Sequence, residues 1–396
     1  MGSLIEQIKT VVQMNVLSIA QRGLTTLVTL FSVAVVVSVL LAFMAVSNGF
    51  NTTVENSGSD ALGIALRGGS AAELNSSLGS DDVKFLEDAP GIKRDENGPI
   101  VSAELYVIVS GIKKSSQSPA NLSLRGVAQS GISLRPNVVL TEGRMFKPGL
   151  GEVVVGQAIA RDFEGFELGN SIKLGKAEWK VVGIFTANGS VHESELWADV
   201  KTVQSQFNRG NSYQVMRFAL EEPGNLSEVE AFAKTNPSLS LDLTTEREYF
   251  ASQAQGLKVF IILGWFLSIV MALGALAGAL NAMYTSVAQR TQEIATLRAI
   301  GFRGISAFVG TMVESLLIAI IGGAIGTLAA YLFFDGMTGS TLGATSFTQV
   351  VFDFRLSAES FQAGMIIAIL IGLVGGFFPA MKAARIPVVE AFSIQS

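Results

Sequence analysis

The chain has 396 residues, 49% of them hydrophobic and 15% charged, against roughly 25% charged in a typical soluble domain; the balance points to a membrane protein. Its formal net charge of −5 excludes the basic surplus that nucleic-acid binding needs, so no nucleic-acid partner is expected. With no cysteine and a single histidine, His192, disulfides, thiolate catalysis and a His/Cys zinc cluster are excluded as well.

Near the N-terminus, Ile5, Ile8, Val12, Val16 and Ile19 recur at helical spacing. Residues 1–23 are therefore expected to form an amphipathic helix on the bilayer surface, or an extension of the span that follows. Residues 24–47 are the first transmembrane helix. Leu24 to Val46 carries no charge, meets the roughly 20 residues needed to cross hydrocarbon, and is too long for the apolar region of a cleaved signal peptide.

Residues 48–255 change character, with 19 Lys plus Arg against 26 Asp plus Glu. Strand patterns fall at Leu62–Arg67, Ile100–Ser110, Leu122–Val127, Glu152–Val155, Ser171–Leu174, Trp179–Phe185, Tyr213–Leu220 and Leu239–Leu243. Helices are predicted at Asp81–Asp88, Val200–Phe207 and Ser227–Lys234. Two βαβ-like units, before Val127 and after Asn211, flank a strand-rich insert. The region therefore reads as α+β and two-lobed, with one lobe from 48–127 and 211–250 and the other from 128–210. His192, Glu193 and Glu195 cluster in NGSVHESELW. They could serve metal or acid–base chemistry, or form a solvated loop leading into a strand or helix at Trp197. The glycines of RGGS and KPGLGE read as turns rather than phosphate cradles.

Residues 256–396 hold three more apolar segments, Val259–Tyr284, Ile305–Phe334 and Phe361–Met381. Each carries a GxxxG pattern, Gly274/Gly278, Gly322/Gly326 and Gly372/Gly376, which lets helix backbones approach closely in lipid. A glycine-lined substrate path is the sharper alternative. Glu314 is the one ionisable residue inside a span, and such a residue is by default a functional candidate. It sits roughly 14 Å into the third segment. The spans offer no second acid or base for a proton relay, and Asn281 or Tyr284 could satisfy it by hydrogen bonding. Lys9, Arg22, Arg290, Arg298, Arg303, Lys382 and Arg385 flank one side of the spans, with Arg355 alone in the short loop on the other. Both termini are accordingly expected in the cytoplasm and the polar domain outside.

Between the second and third spans, AQRTQEIATLRAIGFRGI is charged. As a helix it places Arg290, Glu293, Ile294 and Leu297 on one stripe with Arg298 to one side, and Gly301 supplies a stop. Physics alone leaves it either a solvated connector or a protein contact. QEIATLRAIGF, then Glu314 with IAIIGGAIG, then GGFFPAMKAARIPVVEAF, resemble the permease domain of the FtsX/MacB superfamily of ABC transporters. LRGV, LTEGRMFKPGLGEVVVG and KVVGIFTANGSVHESELW resemble the MacB periplasmic core.

The resemblance covers almost the whole chain. It implies four transmembrane helices, a periplasmic porter lobe with an inserted Sabre-like lobe, location in the inner membrane, and a dimer, with a homodimer expected and a heterodimer left open. It also implies that the loop around Arg290, Glu293, Ile294, Leu297, Arg298 and Gly301 docks on an ABC ATPase, whose ATP-driven closure reaches the outer lobes by mechanotransmission. A periplasmic adaptor (membrane fusion) protein and an outer-membrane channel are the further partners it implies. The sequence contains no G-x-x-x-x-G-K-[ST] phosphate loop, and GNSIKLGKA lacks its spacing and hydroxyl. A non-catalytic permease is thus expected to bind no cofactor itself, with ATP and Mg held by a separate ATPase. Lipoprotein release, hinted at by VSNGF after the first span, and FtsX-like activation of a cell-wall hydrolase are the alternatives.

Overall fold

A computed structural model of the chain describes residues 4–18, 23–236, 239–253, 255–342 and 349–387; Ile19 and Arg22 lie outside them. Two compact units form. One takes Met1–Asn48, Phe260–Met337 and Phe354–Ser396, the other Gly49–Val259 with Thr338–Asp353.

In chain order the elements begin with α1 (Leu4–Ser18) and α2 (Gly23–Glu55). There follow β1 (Leu62–Arg67), α3 (Ser80–Glu87), the small β2–β3 hairpin (Arg94–Asp95, Gly98–Pro99), β4 (Val101–Ile112), β5 (Pro119–Val127) and α4 (Gln129–Ser133). Next come β6 (Val139–Gly143), β7 (Glu152–Gly156), α5 (Gln157–Asp162), β8 (Ser171–Leu174), β9 (Ala177–Thr186), β10 (Glu195–Asp199) and α6 (Val200–Gln206). The α+β region closes with β11 (Val215–Ala219), α7 (Leu226–Ala233), β12 (Leu241–Thr245) and α8 (Glu246–Gln253). The chain continues as α9 (Gln255–Gln289), α10 (Thr291–Ala299), α11 (Gly304–Phe334), β13 (Thr338–Leu342), β14 (Gln349–Asp353) and α12 (Ala358–Arg385).

Among the described residues four helices are long and apolar enough to cross a membrane: Thr26–Glu55, Ile262–Gln289, Gly304–Phe334 and Ala358–Arg385. Small residues set how closely they pack. A Cβ on Gly372 would lie 2.6 Å from that of Ala319, one on Gly376 2.6 Å from that of Ser315, and one on Gly322 2.9 Å from the Leu30 carbonyl oxygen. At Gly326 the backbone of Ala34 on α2 is closer still, and the Gly326 carbonyl accepts from Ser38 Oγ at 2.8 Å. Lipid offers no hydrophobic drive between helices, so this close approach and its hydrogen bonds take that role. Gly274 and Gly278 differ, because a Cβ there would meet nothing within 4 Å.

α1 is a separate helix packed on α11. Val11 and Asn15 are buried and close over Gly310, while Gln7 Oε1 accepts from the Arg303 amide at 3.2 Å. Ile5 and Val16, from the expected apolar stripe, stay exposed within the chain.

In the second unit one ten-stranded sheet runs β12-β1-β11-β4-β5-β10-β7-β9-β6, with β8 on β9. The first four strands are mutually antiparallel neighbours. β1 and β4, joined through α3, are therefore parallel with β11 between them, and β11 and β12, joined through α7, are parallel with β1 between them. These are two interlocked split βαβ units, the ferredoxin-like arrangement, so the βαβ pattern read in the sequence holds without its strands being neighbours.

Residue 127, the expected lobe boundary, ends β5, which is reached from β11 through β4. β4 pairs with β11 through Val101–Glu104 and with β5 through Leu105–Ile112. Leu122 and Leu124 of β5 share one core with Val153, Val155, Trp179 and Val181 of the insert. β10 lies parallel to β5, and this pairing draws β5 into the insert. The other core gathers Ala65, Leu86, Met216, Phe218 and Val229 beneath α3 and α7.

Candidate functional site

α10 is a nine-residue helix with two unlike faces. Ala295 is buried and Ile294 half-buried against Val287, Ala307, Ala383 and Ile386, which seats the helix on α9, α11 and α12. Gln292, Glu293, Thr296 and Ala299 are exposed, as is Ile300, at 69%. The helix ends in a Schellman turn: the Phe302 amide donates to the Leu297 carbonyl at 3.0 Å and the Gly301 amide to the Arg298 carbonyl at 3.1 Å. Gly301 takes φ +104°, a conformation that favours glycine and fits its reading as a stop.

The charged residues of this stretch divide in the same way. Arg290, just before α10, is only 7% exposed. Its Nε donates to Glu293 Oε2 at 3.1 Å and its Nη1 to Glu314 Oε2 at 3.3 Å. Ser286 Oγ donates to Glu314 Oε1 at 3.2 Å. The acid in the third span thus has a cation and a hydroxyl as partners, from the end of α9 and the turn after it. Sequence alone offers Asn281 or Tyr284 for this acid and does not name Arg290 or Ser286 as its partners; burial of the carboxylate calls for a compensating charge, which Arg290 supplies. Arg298 is half-buried and donates to the Ile386 carbonyl, and Leu297 is half-buried. Glu293 is the charged side chain of the stripe that faces outward, 56% exposed. A small cavity of about 20 Å³ lies among Asn15, Ser286, Arg290, Thr311 and Glu314, room for about one water.

The second unit hides a larger charge cluster. Strand alternation divides β4, β5 and β10: Leu105, Val107, Leu122, Leu124, Leu196 and Ala198 face the apolar core, while Glu104, Arg125 and Glu195 face the other way. Arg125 clamps Glu195 through Nε at 2.9 Å and Nη2 at 2.6 Å, and Nη1 reaches Glu73 at 2.6 Å and Glu104 at 3.0 Å. Arg217 on β11 donates to Glu73 at 2.5 Å, Glu104 at 2.6 Å and Glu246 at 3.2 Å. Arg135 clamps Glu104 through Nη1 and Nη2 at 2.8 and 2.9 Å. His192 Nδ1 and Trp197 Nε1 lie 3.2 and 2.7 Å from Glu195 Oε2.

Burial alone would raise the Glu104 carboxyl, but Arg135, Arg217 and Arg125 outweigh it and hold the group far below the usual carboxylate range. Burial opposes ionisation of Glu195 too, and Arg125 with His192 keeps it well below that range. Burial with Glu73 nearby pushes the Tyr249 hydroxyl up.

The solvated-loop reading of NGSVHESELW is therefore overturned: His192 and Glu195 are each 4% exposed, and Glu195 opens β10. Of the three clustered residues Glu193 is the half-buried one, its carboxylate accepting from the Ala187 and Gly189 amides at 2.7 and 2.8 Å. Among the described residues no group of three or more His, Asp or Glu is arranged to hold a metal. The cluster lies beside Ile64, Leu66, Val215, Tyr249 and Phe250, with Val54 and Val191 packed against them. Ser57, just past α2, holds the same turn by accepting from the Val191 amide at 2.8 Å. Sequence reasoning missed Glu73, Glu104, Arg125, Arg135, Arg217 and Glu246. The available signal was a charge inside an otherwise apolar strand, as in SLRGV and VMRFA.

Comparison with known proteins finds two family matches along the chain. Residues 26–235 match the MacB-like periplasmic core domain and residues 265–388 the FtsX-like permease C-terminal domain. A macrolide export ATP-binding/permease protein MacB from Hyphomonas neptunium is 25% identical over 98% of this chain and 61% of its own length. Its counterpart from Nitrosomonas europaea is 25% identical over 64% of this chain and 38% of its own. The chain thus spans between about two fifths and three fifths of these relatives' lengths. The periplasmic region of MacB from Actinobacillus actinomycetemcomitans aligns with 52% of this chain and 98% of its own, at 13% identity and a TM-score of 0.38. The chain belongs to the FtsX/MacB superfamily of ABC transporter permeases.

Proposed function

We propose that this permease is the membrane subunit of an ATP-driven, MacB-like exporter, and that α10 is where an ABC ATPase docks. The observation that carries the reading is the two-sidedness of α10. Its inner face and Arg290 are tied into the helix bundle, while Gln292, Glu293, Thr296 and Ile300 are left outward. An exposed apolar Ile300 beside an exposed carboxylate suits a protein contact. ATP and Mg are held by the partner, and ATP-dependent movement of α10 is passed through the helices to the outer domain by mechanotransmission, with both termini in the cytoplasm and the membrane being the inner one. The outward Gly274 and Gly278 on α9 suit close approach of a second copy in a homodimer. A periplasmic adaptor and an outer-membrane channel complete the export route.

The test is affinity purification of the tagged chain from membranes of its source organism, with ATPase assays of the chain alone and of what it retains. An ABC ATPase retained by the wild-type chain and lost on charge reversal of Glu293 together with Ile300→Asp is the expected result. Retention undiminished by both changes rejects α10 as the docking helix.

A further inference from the structure

We propose that the Arg290–Glu314 ion pair, closed by Ser286, is the linkage through which displacement of α10 is delivered to α11. The proposal rests on α10 being the docking helix. The covalent route from α10 to α11 passes through Gly301, whose positive φ ends the helix in a turn that can act as a pivot. Between its ends the helix rests on Ala307 and Ala383 through Ile294 and Ala295, apolar contacts that can slide. Arg290 secures the opposite end. It meets α11 at Glu314, ten residues beyond the Gly304 start of that helix, or about 15 Å along its axis. Attachment at two separated points makes α10 and the first half of α11 one lever.

The residue types suit that task. A guanidinium presents its donors as a fork, so Arg290 holds the exposed Glu293 with Nε and the buried Glu314 with Nη1 at once. Glu314 has little competing water, at 4% side-chain exposure, and in such surroundings a charged hydrogen bond is stronger than at the surface. Ser286 fixes the second carboxylate oxygen. Glu293 stands at the junction of the outer face and the linkage, so a cation on the docked partner would reach Arg290 through it.

The experiment uses the complex with the ATPase recovered above and spin labels at Thr296 on α10 and Leu332 on α11, both exposed. In the wild type, ATP binding is expected to leave the distance between these labels unchanged, because the two helices move together. Glu314→Gln is expected to retain the ATPase within about twofold while ATP changes or broadens that distance. Coupling should fall by roughly 2- to 30-fold, the range seen for mutations along energetically coupled networks. The exchanged pair Arg290→Glu with Glu314→Arg restores the fixed distance. Arg290→Lys, which keeps the cation and loses the fork, gives an intermediate change and serves if Glu314→Gln fails to assemble. A distance that stays fixed under ATP in both Glu314→Gln and Arg290→Lys overturns the linkage, as does an exchanged pair that behaves like Glu314→Gln. A wild-type chain that retains no ATPase overturns the docking reading instead, which is a separate result.

Discussion

Two buried charge clusters, one in each unit, solve the same problem on different scales. In the α+β unit, Arg125, Arg135 and Arg217 face Glu73, Glu104, Glu195 and Glu246 with His192 beside them. Glu73 and Glu104 each accept from two or more arginines, and Glu195 from Arg125 and the Trp197 indole with His192 beside it, so removing one cation leaves several acids short of a donor at once. In the helical unit, Arg290 and Ser286 both meet the buried Glu314, and the arginine holds a second acid, Glu293, at the surface. The first arrangement is over-determined and suits a joint that must not open. The second has one cation shared between an inner and an outer partner, which suits a contact whose balance an external protein can alter.

The largest expected effect comes from breaking the larger cluster. Arg125→Met leaves Glu73, Glu104 and Glu195 short of their shared cation and should destabilise the α+β unit by about 3–5 kcal/mol. Denaturant unfolding followed by the fluorescence of Trp179 and Trp197, both buried there, measures it. A loss below about 1 kcal/mol would mean that Arg135 and Arg217 redistribute over the acids and that Arg125 is not their indispensable cation.

Acid comes next. Glu104 and Glu195 have folded values depressed below the ordinary 4.5, so their contribution to stability is complete above that pH and is lost as pH falls toward the folded values. Near-ultraviolet circular dichroism of the full chain should show tertiary structure lost progressively below about pH 4.5. Stability that does not fall over that range would place the origin of folding strength elsewhere.

Smaller still is Glu314→Gln, at about 1–2 kcal/mol. Glutamine keeps a carbonyl for Arg290 or Ser286, and Arg290 keeps Glu293. Glu293→Gln lies at the bottom of the scale, within about 0.5 kcal/mol, as exposed ion pairs do, yet it should weaken association with the ATPase. Thermal unfolding run beside co-purification separates the two effects. If Glu293→Gln destabilised the fold as much as Glu314→Gln, the inner and outer partners of Arg290 would be equivalent and the contrast with the larger cluster would disappear.

Much of this was legible before any coordinates. The strands at Leu62–Arg67, Glu152–Val155 and Ser171–Leu174 follow from alternation and β-branched residues, and all three occur. The strand at Glu195–Asp199 was left undecided, and the strand at Val139–Gly143 was not foreseen. Their sequences, ELWAD and VLTEG, are short and carry acids, and the partners that stabilise them, β5 and β9, are distant in sequence. The antiparallel pair β13 and β14 was not foreseen either, although its two strands are near each other in sequence. Glu314 stood out in its span because charge there is costly. Its partner did not, because Arg290 lies outside the apolar run and reaches Glu314 only once α9 and α11 lie side by side.

The sequence alone determined the class of the protein: four apolar runs, the acidic α+β region set between the first and second of them, and glycine spacings that permit close helices. These are properties of composition and local periodicity, each felt within a few turns of chain. The tertiary structure decided which charges face inward. Arg125 meets Glu195 across 70 residues, Arg217 meets Glu73 across 144, and Arg290 meets Glu314 across 24. The stability of such a pair depends on the water that its surroundings exclude, and burial of that kind is created by packing between distant segments rather than encoded at either residue.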